Sequence, residues 1–278
     1  MRQREPLNLK ENLKDKFVAY IDVMGFSNLV NRDSVADLES YFIRVIEVLD
    51  KIKVDKGQIE SFLISDAIIL IAPSGLKGLK DIILATRRIQ SALLWKKILL
   101  RGAISYGQVF YDKKDNIIVG KGFIKAYLLE QEAIYPRVIV DPSIIRIIAD
   151  DKEAFIQSIQ KDSGDKYDDR LIYTKSQFSQ IDDDCIFIDY ANKSVLQLSL
   201  NENIKKVYET IVKNLYGEQK LYSKYVWLRD YFTEWLKLTK FNIEVRYREA
   251  SFFDRTASPM RDKHYRMIAD WLKKFERL

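Results

Sequence analysis

Phe17-Val18-Ala19-Tyr20-Ile21-Asp22-Val23-Met24-Gly25-Phe26 is the stretch on which the fold turns. Seven of these ten residues are strongly apolar, one is an acid, and the run breaks at Gly25. A segment this apolar reads as a central strand buried on both faces. A carboxylate in such a strand is costly unless its charge is compensated. Backbone N–H groups of the following turn can satisfy one such Asp; a second acid in a matching setting asks for more.

That second acid is Asp66, between Ser61-Phe62-Leu63-Ile64 and Ala67-Ile68-Ile69-Leu70-Ile71-Ala72. With Ser65 it is the polar pair between two apolar runs, which predicts a hairpin with Ser65-Asp66 at its tip. Between the acids, Val35, Leu38, Tyr41, Phe42, Val45, Ile46, Leu49 and Ile52 recur at helical spacing. Strand, helix, hairpin opens a split βαβ unit. A right-handed crossover makes strands one and two parallel and lets strand three slot between them, antiparallel to both. Asp22 and Asp66 then meet at one sheet edge. Two close carboxylates repel unless a cation holds them, and hard oxygen donors suit Mg²⁺ or Mn²⁺ bound with substrate phosphates.

Further along, Ser74 to Gly78 reads as a turn cluster and Leu79 to Ile98 as a second amphipathic helix. A glycine-containing strand covers Leu99 to Tyr111, followed by a loop and a strand at Ile117 to Val119. Gly120-Lys121-Gly122 leads into a helix of Phe123 to Ala133, and Arg137 to Asp141 is a further strand. The fold expected is α+β: a ferredoxin-like, palm-type βαββαβ core with a mixed sheet, then a mostly helical C-terminal extension. Residues 1–16 form a polar arm, 17–150 the core, and 151–278 the extension packed on it. Within the last part, Ser163-Gly164-Asp165 reads as a turn and Cys185 to Tyr190 as a short strand. Asp182-Asp183-Asp184 reads as a solvated turn. Tyr222, Tyr225, Leu228, Arg229, Phe232 and Trp235 mark a helix whose aromatics pack rather than stack on a ligand.

Composition narrows the function. The 278 residues are 47% hydrophobic and 31% charged, the balance of a globular chain. A single cysteine, Cys185, precludes an internal disulfide and suits a reducing compartment. A single histidine, His264, argues against a His-centred triad or a His-rich zinc site. The start of the chain has no apolar core of signal-peptide length and no run reaches membrane-spanning length, so the expectation is a cytoplasmic protein without membrane contact. A net charge of +6 favours anionic ligands. The basic tail (Arg246, Arg248, Arg255, Arg261, Lys263, Arg266, Lys273, Lys274, Arg277) is interspersed with acids, which disfavours a nucleic-acid surface.

With both acids placed, the core resembles a class III nucleotide cyclase homology domain. Tyr20 to Ser27 resembles the family's first metal motif, and Ser65-Asp66 stands where its Gly-Asp hairpin stands. Arg101-Gly102-Ala103-Ile104-Ser105-Tyr106-Gly107 resembles its Arg-containing strand, and Gly120 to Glu130 its composite-site helix. Two departures matter. Where common purine cyclases carry an Asn and, four residues on, a transition-state Arg, this chain has Ile124 and Leu128. Where they select the base with Lys or Glu, it has Phe62, next to Ser61. An apolar ring cannot read a purine edge by charge-assisted hydrogen bonds. The pyrimidine (uridylate or cytidylate) cyclases of bacterial Pycsar anti-phage systems are similar to this chain in further stretches. These are Ser65 to Ile68, Leu100 to Gly102, Ala126 to Glu130 with Tyr135-Pro136-Arg137, and Lys224 to Leu228.

The resemblance implies a metal-dependent conversion of UTP or CTP to the 3′,5′-cyclic monophosphate and pyrophosphate. Asp22 and Asp66 would hold two Mg²⁺ or Mn²⁺ ions per site. Ile21, Val23, Gly25, Phe26, Phe62 and Ser65 would surround the nucleotide, and Arg101 would offset phosphate charge. Arg137 or Lys125 would stand in for the missing transition-state Arg. The implied assembly is a head-to-tail homodimer with interface sites, and the product would act on a separate effector protein. Two alternatives stay open: a degenerate cyclase fold that binds a nucleotide or protein without turnover, and a nucleic-acid-binding module on the basic tail.

Overall fold

The opening apolar run is strand β1, Lys14–Val23, the centre of a mixed sheet. In the computed structural model, residues 8–31, 34–55, 58–160, 170–182, 184–191, 200–249 and 259–278 are described. A short helix α1 (Leu9–Asn12) precedes β1; α2 (Phe26–Val30) and α3 (Val35–Asp55) follow it. The hairpin β2 (Glu60–Ile64) and β3 (Ala67–Pro73) comes next, then α4 (Gly75–Leu94), β4 (Leu100–Asp112) and β5 (Ile117–Val119). Helix α5 (Lys121–Glu132), strand β6 (Val138–Val140) and the short helices α6 (Ile145–Ile148) and α7 (Lys152–Gln160) complete the first half. Among the described residues, three helices close the chain: α8 (Leu200–Leu215), α9 (Gln219–Glu249) and α10 (Pro259–Phe275).

The strand order is β2-β3-β1-β4-β5, with β6 parallel to β4. β3 lies between β1 and β2 and is antiparallel to both, as the split βαβ reading requires. The reason β1 and β3 are apolar without alternation is that both sheet faces are covered. Phe17, Ala19, Ile21 and Val23 pack under α3 and α4 with Ile68, Leu70 and Ala72. Val18, Ile69 and Ile71 face the other way, with Ala126 and Phe123 of α5. Full burial of a side chain such as Phe17 stabilises by about 1.5–3 kcal/mol.

β1 starts at Lys14, earlier than its apolar residues, because Lys14, Asp15 and Lys16 pair with Val109, Gln108 and Gly107. The expected turn at Ser74 to Gly78 is instead the first turn of α4. There Gly78 sits against Pro73, whose carbonyl oxygen would lie 1.9 Å from any Cβ. Gly78 thus marks close packing of helix on strand, whereas Gly75 opens the helix at φ +89° with space around it. α4 also ends before Ile98. Lys97 takes φ +63°, with Lys97 N–H donating to the Leu94 carbonyl (2.8 Å) and Ile98 N–H to the Leu93 carbonyl (3.0 Å), a Schellman closure. The expected strand at Cys185 to Tyr190 is reduced to bridges from Phe187 to Ile139 and Ile188 to Ile172, since three-residue β6 offers little edge. The turn expected at 163–165 lies outside the described residues.

The helical extension packs on the sheet through a second core in which Leu94, Leu99, Ala103 and Ile139 meet Leu228, Tyr231, Phe232 and Trp235 of α9. Phe232 and Trp235 of the expected aromatic stripe are buried in this packing, whereas Tyr222 is exposed and Tyr225 is only partly buried. No helix among the described residues is long and apolar enough to cross a membrane.

Candidate active site

The ladder between β1 and β3 ends at Ile21 opposite Ile68, so the next residue of β1, Asp22, is level with the hairpin tip and Asp66. On its other side Asp22 is the direct cross-strand partner of Arg101. The sheet register alone therefore collects two acids and a cation. The Asp22 and Asp66 carboxyls are close enough to hydrogen-bond when one carries a proton. Burial first, and then the Asp66 charge, holds the Asp22 carboxyl above the usual carboxylate range against the opposing pull of Arg101.

Arg101 Nε lies 2.5 Å from Oε1 of Glu130, on the last turn of α5, and 3.5 Å from Oδ2 of Asp22. Because Asp22 also touches Asp66, the guanidinium flanks the acid pair. Glu130 is buried, and burial raises its pKa while Arg101 lowers it. Two hard carboxylates held together despite their repulsion fit a divalent cation of the Mg²⁺ or Mn²⁺ kind. No group of three or more His, Cys, Asp or Glu able to hold a metal occurs among the described residues. Remaining ligands would have to be backbone oxygens, water and substrate phosphates.

The acids open onto a cleft of about 450 Å³ between the sheet edge and the helical extension. Val23, Gly25 and Phe26 line it beside Asp22, Asp66 and Arg101. Gly25 takes φ +80° in the turn that leads β1 into α2, a left-handed conformation suited to glycine. The structure does not bring the other expected site residues to this cleft. Ile21 is fully buried on the opposite face, under α3 and α4. Phe62 is buried against Tyr111 with the Lys113 ammonium above its ring. Ser65 occupies the exposed hairpin tip at φ +55°, a left-handed position. Lys125 is paired with Asp141 and donates to Ser143 Oγ (2.9 Å). Arg137, 3% exposed, lies within 6 Å of the rings of Tyr135, Phe187 and Trp227 and links β6 to α9.

Other groups at the cleft have no site role in the sequence reading. Tyr41 of α3, 3% exposed, lines it with a hydroxyl that has no hydrogen-bond partner among the described residues. Burial, followed by the charges of Asp66 and Asp22, raises its pKa. Lys97, Asn214, Lys224 and Tyr225 form the far wall. Tyr41 was hidden because an aromatic at helical spacing reads as core. Lys97 owes its place to the Schellman turn. Away from the cleft, Asp182 and Asp184 are exposed beside Lys175, a solvated cluster as expected, with Asp183 outside the described residues. In the basic tail, the side chains of Arg246, Arg248, Arg255 and Arg261 also fall outside the description.

No known family's sequence profile matches this chain. No curated protein matches it either. Among solved structures, the chain is similar to the guanylyl cyclase domain of the RhoGC fusion protein from the aquatic fungus Blastocladiella emersonii. The TM-score is 0.41 at 16% identity, over 48% of this chain and 82% of that one. It is also similar to the adenylyl cyclase CyaB from P. aeruginosa, with TM-score 0.39 and 14% identity over 63% of this chain and 92% of that one. A third is the guanylate cyclase domain of RhGC from Catenaria anguillulae in complex with GTP, with TM-score 0.39 and 16% identity over 49% and 82%.

Proposed function

We propose that this chain is a metal-dependent pyrimidine nucleotide cyclase that converts UTP or CTP to the 3′,5′-cyclic monophosphate and pyrophosphate. The observation that carries the reading is the convergence of Asp22 and Asp66, 44 residues apart in sequence, at the mouth of one cleft. Mg²⁺ or Mn²⁺ held by these two carboxylates would supply Lewis-acid activation of the ribose 3′-OH and charge neutralisation at the triphosphate.

The chain's own groups then have defined work. The 3′-oxygen attacks the α-phosphorus as the bond to the bridging oxygen of pyrophosphate breaks, and the hydroxyl proton leaves to solvent. Asp22 and Asp66 orient the reacting end. Arg101, fixed by Glu130, offsets negative charge beside Asp22. The backbone around Gly25 borders the triphosphate. The pyrimidine choice draws on the sequence position of Phe62, where purine cyclases carry a charged reader; the ring itself is buried against Tyr111, outside the cleft. Exposed Ile124 and Leu128, one turn apart on α5, support pairing of that helix with a second copy, which would bring Lys125 towards the partner's cleft. A role in anti-phage defence, through a cytoplasmic effector that binds the cyclic nucleotide, extends the reading.

The test is a screen of all four nucleoside triphosphates with the purified chain and Mn²⁺. Cyclic UMP or cyclic CMP is expected, and Asp22→Ala should cut turnover by at least about 1,000-fold while leaving the chain folded. Preference for ATP or GTP would remove the pyrimidine assignment. Full activity in Asp22→Ala would remove the metal assignment. The catalytically degenerate reading draws on the apolar Ile124 and Leu128; triphosphate binding without any product would favour it.

A further inference from the structure

The far wall of the cleft has its own electrostatic logic. Leu221, Lys224 and Tyr225 line it from one face of α9, and Leu228, one turn on, is fully buried beneath. Lys224 thus occupies an i, i+3, i+4, i+7 stripe whose other members are apolar or aromatic. It lines the same cleft as Asp22, Asp66 and Arg101. Lys224 is half-buried, and burial, then the positive charges of Arg101 and Lys220, lower its pKa.

The other cations are partnered. Arg101 is tied to Glu130 and Asp22, Lys97 to Glu209 at 3.0 Å, and Lys220 to Glu218 at 3.1 Å. Lys224 makes no ion pair among the described residues. A partly desolvated ammonium that shares a cleft with a guanidinium is unfavourable until an anion joins them. Across the same cleft, Asp22 and Asp66 carry the opposite need, for cations. A polyphosphate bound with divalent metal satisfies both walls, since its reacting end meets the acids and its trailing phosphates meet the lysine.

We propose that Lys224, from the helical extension rather than from the βαββαβ core, binds the terminal phosphates of the nucleoside triphosphate, so that α9 is one wall of the substrate site. The proposal rests on the cyclase reading and adds to it the element that grips the leaving group. The extension is therefore part of the active site and not only a support for the sheet.

The test is equilibrium binding to the full chain with Mn²⁺, using 3′-deoxy-UTP and 3′-deoxy-CTP, which cannot cyclise, and inorganic tripolyphosphate. Wild type should bind tripolyphosphate and at least one of the nucleotides. Lys224→Gln should weaken both kinds of ligand by roughly 10-fold or more, and Lys224→Arg should recover most of the loss. Lys220→Gln, which removes the same charge from an exposed position on the same helix, should change either by less than about 2-fold. Thermal melts of each variant separate lost binding from lost fold. Unaltered binding in a folded Lys224→Gln would overturn this inference and leave the cyclase reading intact. Absence of triphosphate binding in wild type would overturn both. If Lys224→Gln is unfolded, Lys224→Arg decides alone: restored fold with wild-type affinity supports the proposal, and restored fold without binding overturns it.

Discussion

At the scale of single residues, Asp22 sets a trade between stability and function. Burial and Asp66 keep its carboxyl protonated to higher pH than in the unfolded chain. The folded state therefore binds more protons. The stability this group contributes is complete below the ordinary carboxylate pKa and is lost as pH rises through the raised value. A divalent cation competes for the same oxygens and relieves the repulsion that then develops. The rise in Tm caused by Mn²⁺, relative to chelator, should accordingly grow as pH rises from about 4, the ordinary carboxylate value, through the raised one. Asp22→Asn should raise the metal-free Tm by a few degrees at neutral pH and abolish the Mn²⁺ increment. A Mn²⁺ shift that ignores pH, or survives unchanged in Asp22→Asn, contradicts this account.

At the scale of elements, α5 serves two surfaces. Its inner side holds Ala126 and Gly122 against β4, where Ser105 Oγ donates to the Gly122 carbonyl at 2.6 Å, and ends in the Glu130–Arg101 pair. Its outer side leaves Ile124 and Leu128, each 55% exposed, with Tyr127 beside them. One helix would thus hold a cleft cation on one side and the dimer contact on the other. The double variant Ile124→Asp, Leu128→Asp should shift the mass in light scattering from dimer to monomer. It should lower turnover by at least about 100-fold with little loss of Tm, because neither side chain supports the protomer core. A wild-type chain that is monomeric and active at assay concentration would refute the shared-site arrangement.

At the scale of the whole molecule, the wall formed by α9 depends on a buried polar junction well away from the cleft. Tyr231, 1% exposed, donates from its hydroxyl to Asp189 Oδ1 at 2.5 Å and accepts from the N–H groups of Tyr190 (2.9 Å) and Ala191 (2.8 Å). Asp189 is also paired with Arg170 Nε at 3.1 Å. Nearby, Glu234 accepts from Tyr173, Ser176 and Ser179. This network fixes α9 to the segment that bridges to β6. Tyr231→Phe leaves a carboxylate and two N–H groups short of a partner and should cost about 1–3 kcal/mol in urea unfolding. Since Lys224 lies two turns away on the same helix, triphosphate affinity should fall in parallel. Loss of stability with unchanged affinity would separate the extension from the site.

The sequence by itself determined the strand, helix and hairpin order, because unbroken apolar runs and 3.6-residue periods are local signals that covering a sheet on both faces leaves in the chain. It also pointed to Asp22 and Asp66 at one edge, since the element order puts the end of β1 beside the hairpin tip, while the register of strands apolar on both faces was set by the tertiary structure. Beyond Val23, Gly25, Phe26 and Arg101, tertiary structure alone decided the lining of the cleft. Lys97 reaches it through a helix-ending turn made with a non-glycine residue. Tyr41 carries a polar atom on an otherwise apolar stripe, and Lys224 comes from a helix more than 120 residues after Arg101. The opposite-charge requirements of the two walls exist only once packing brings them together, and no short-range pattern encodes that distance.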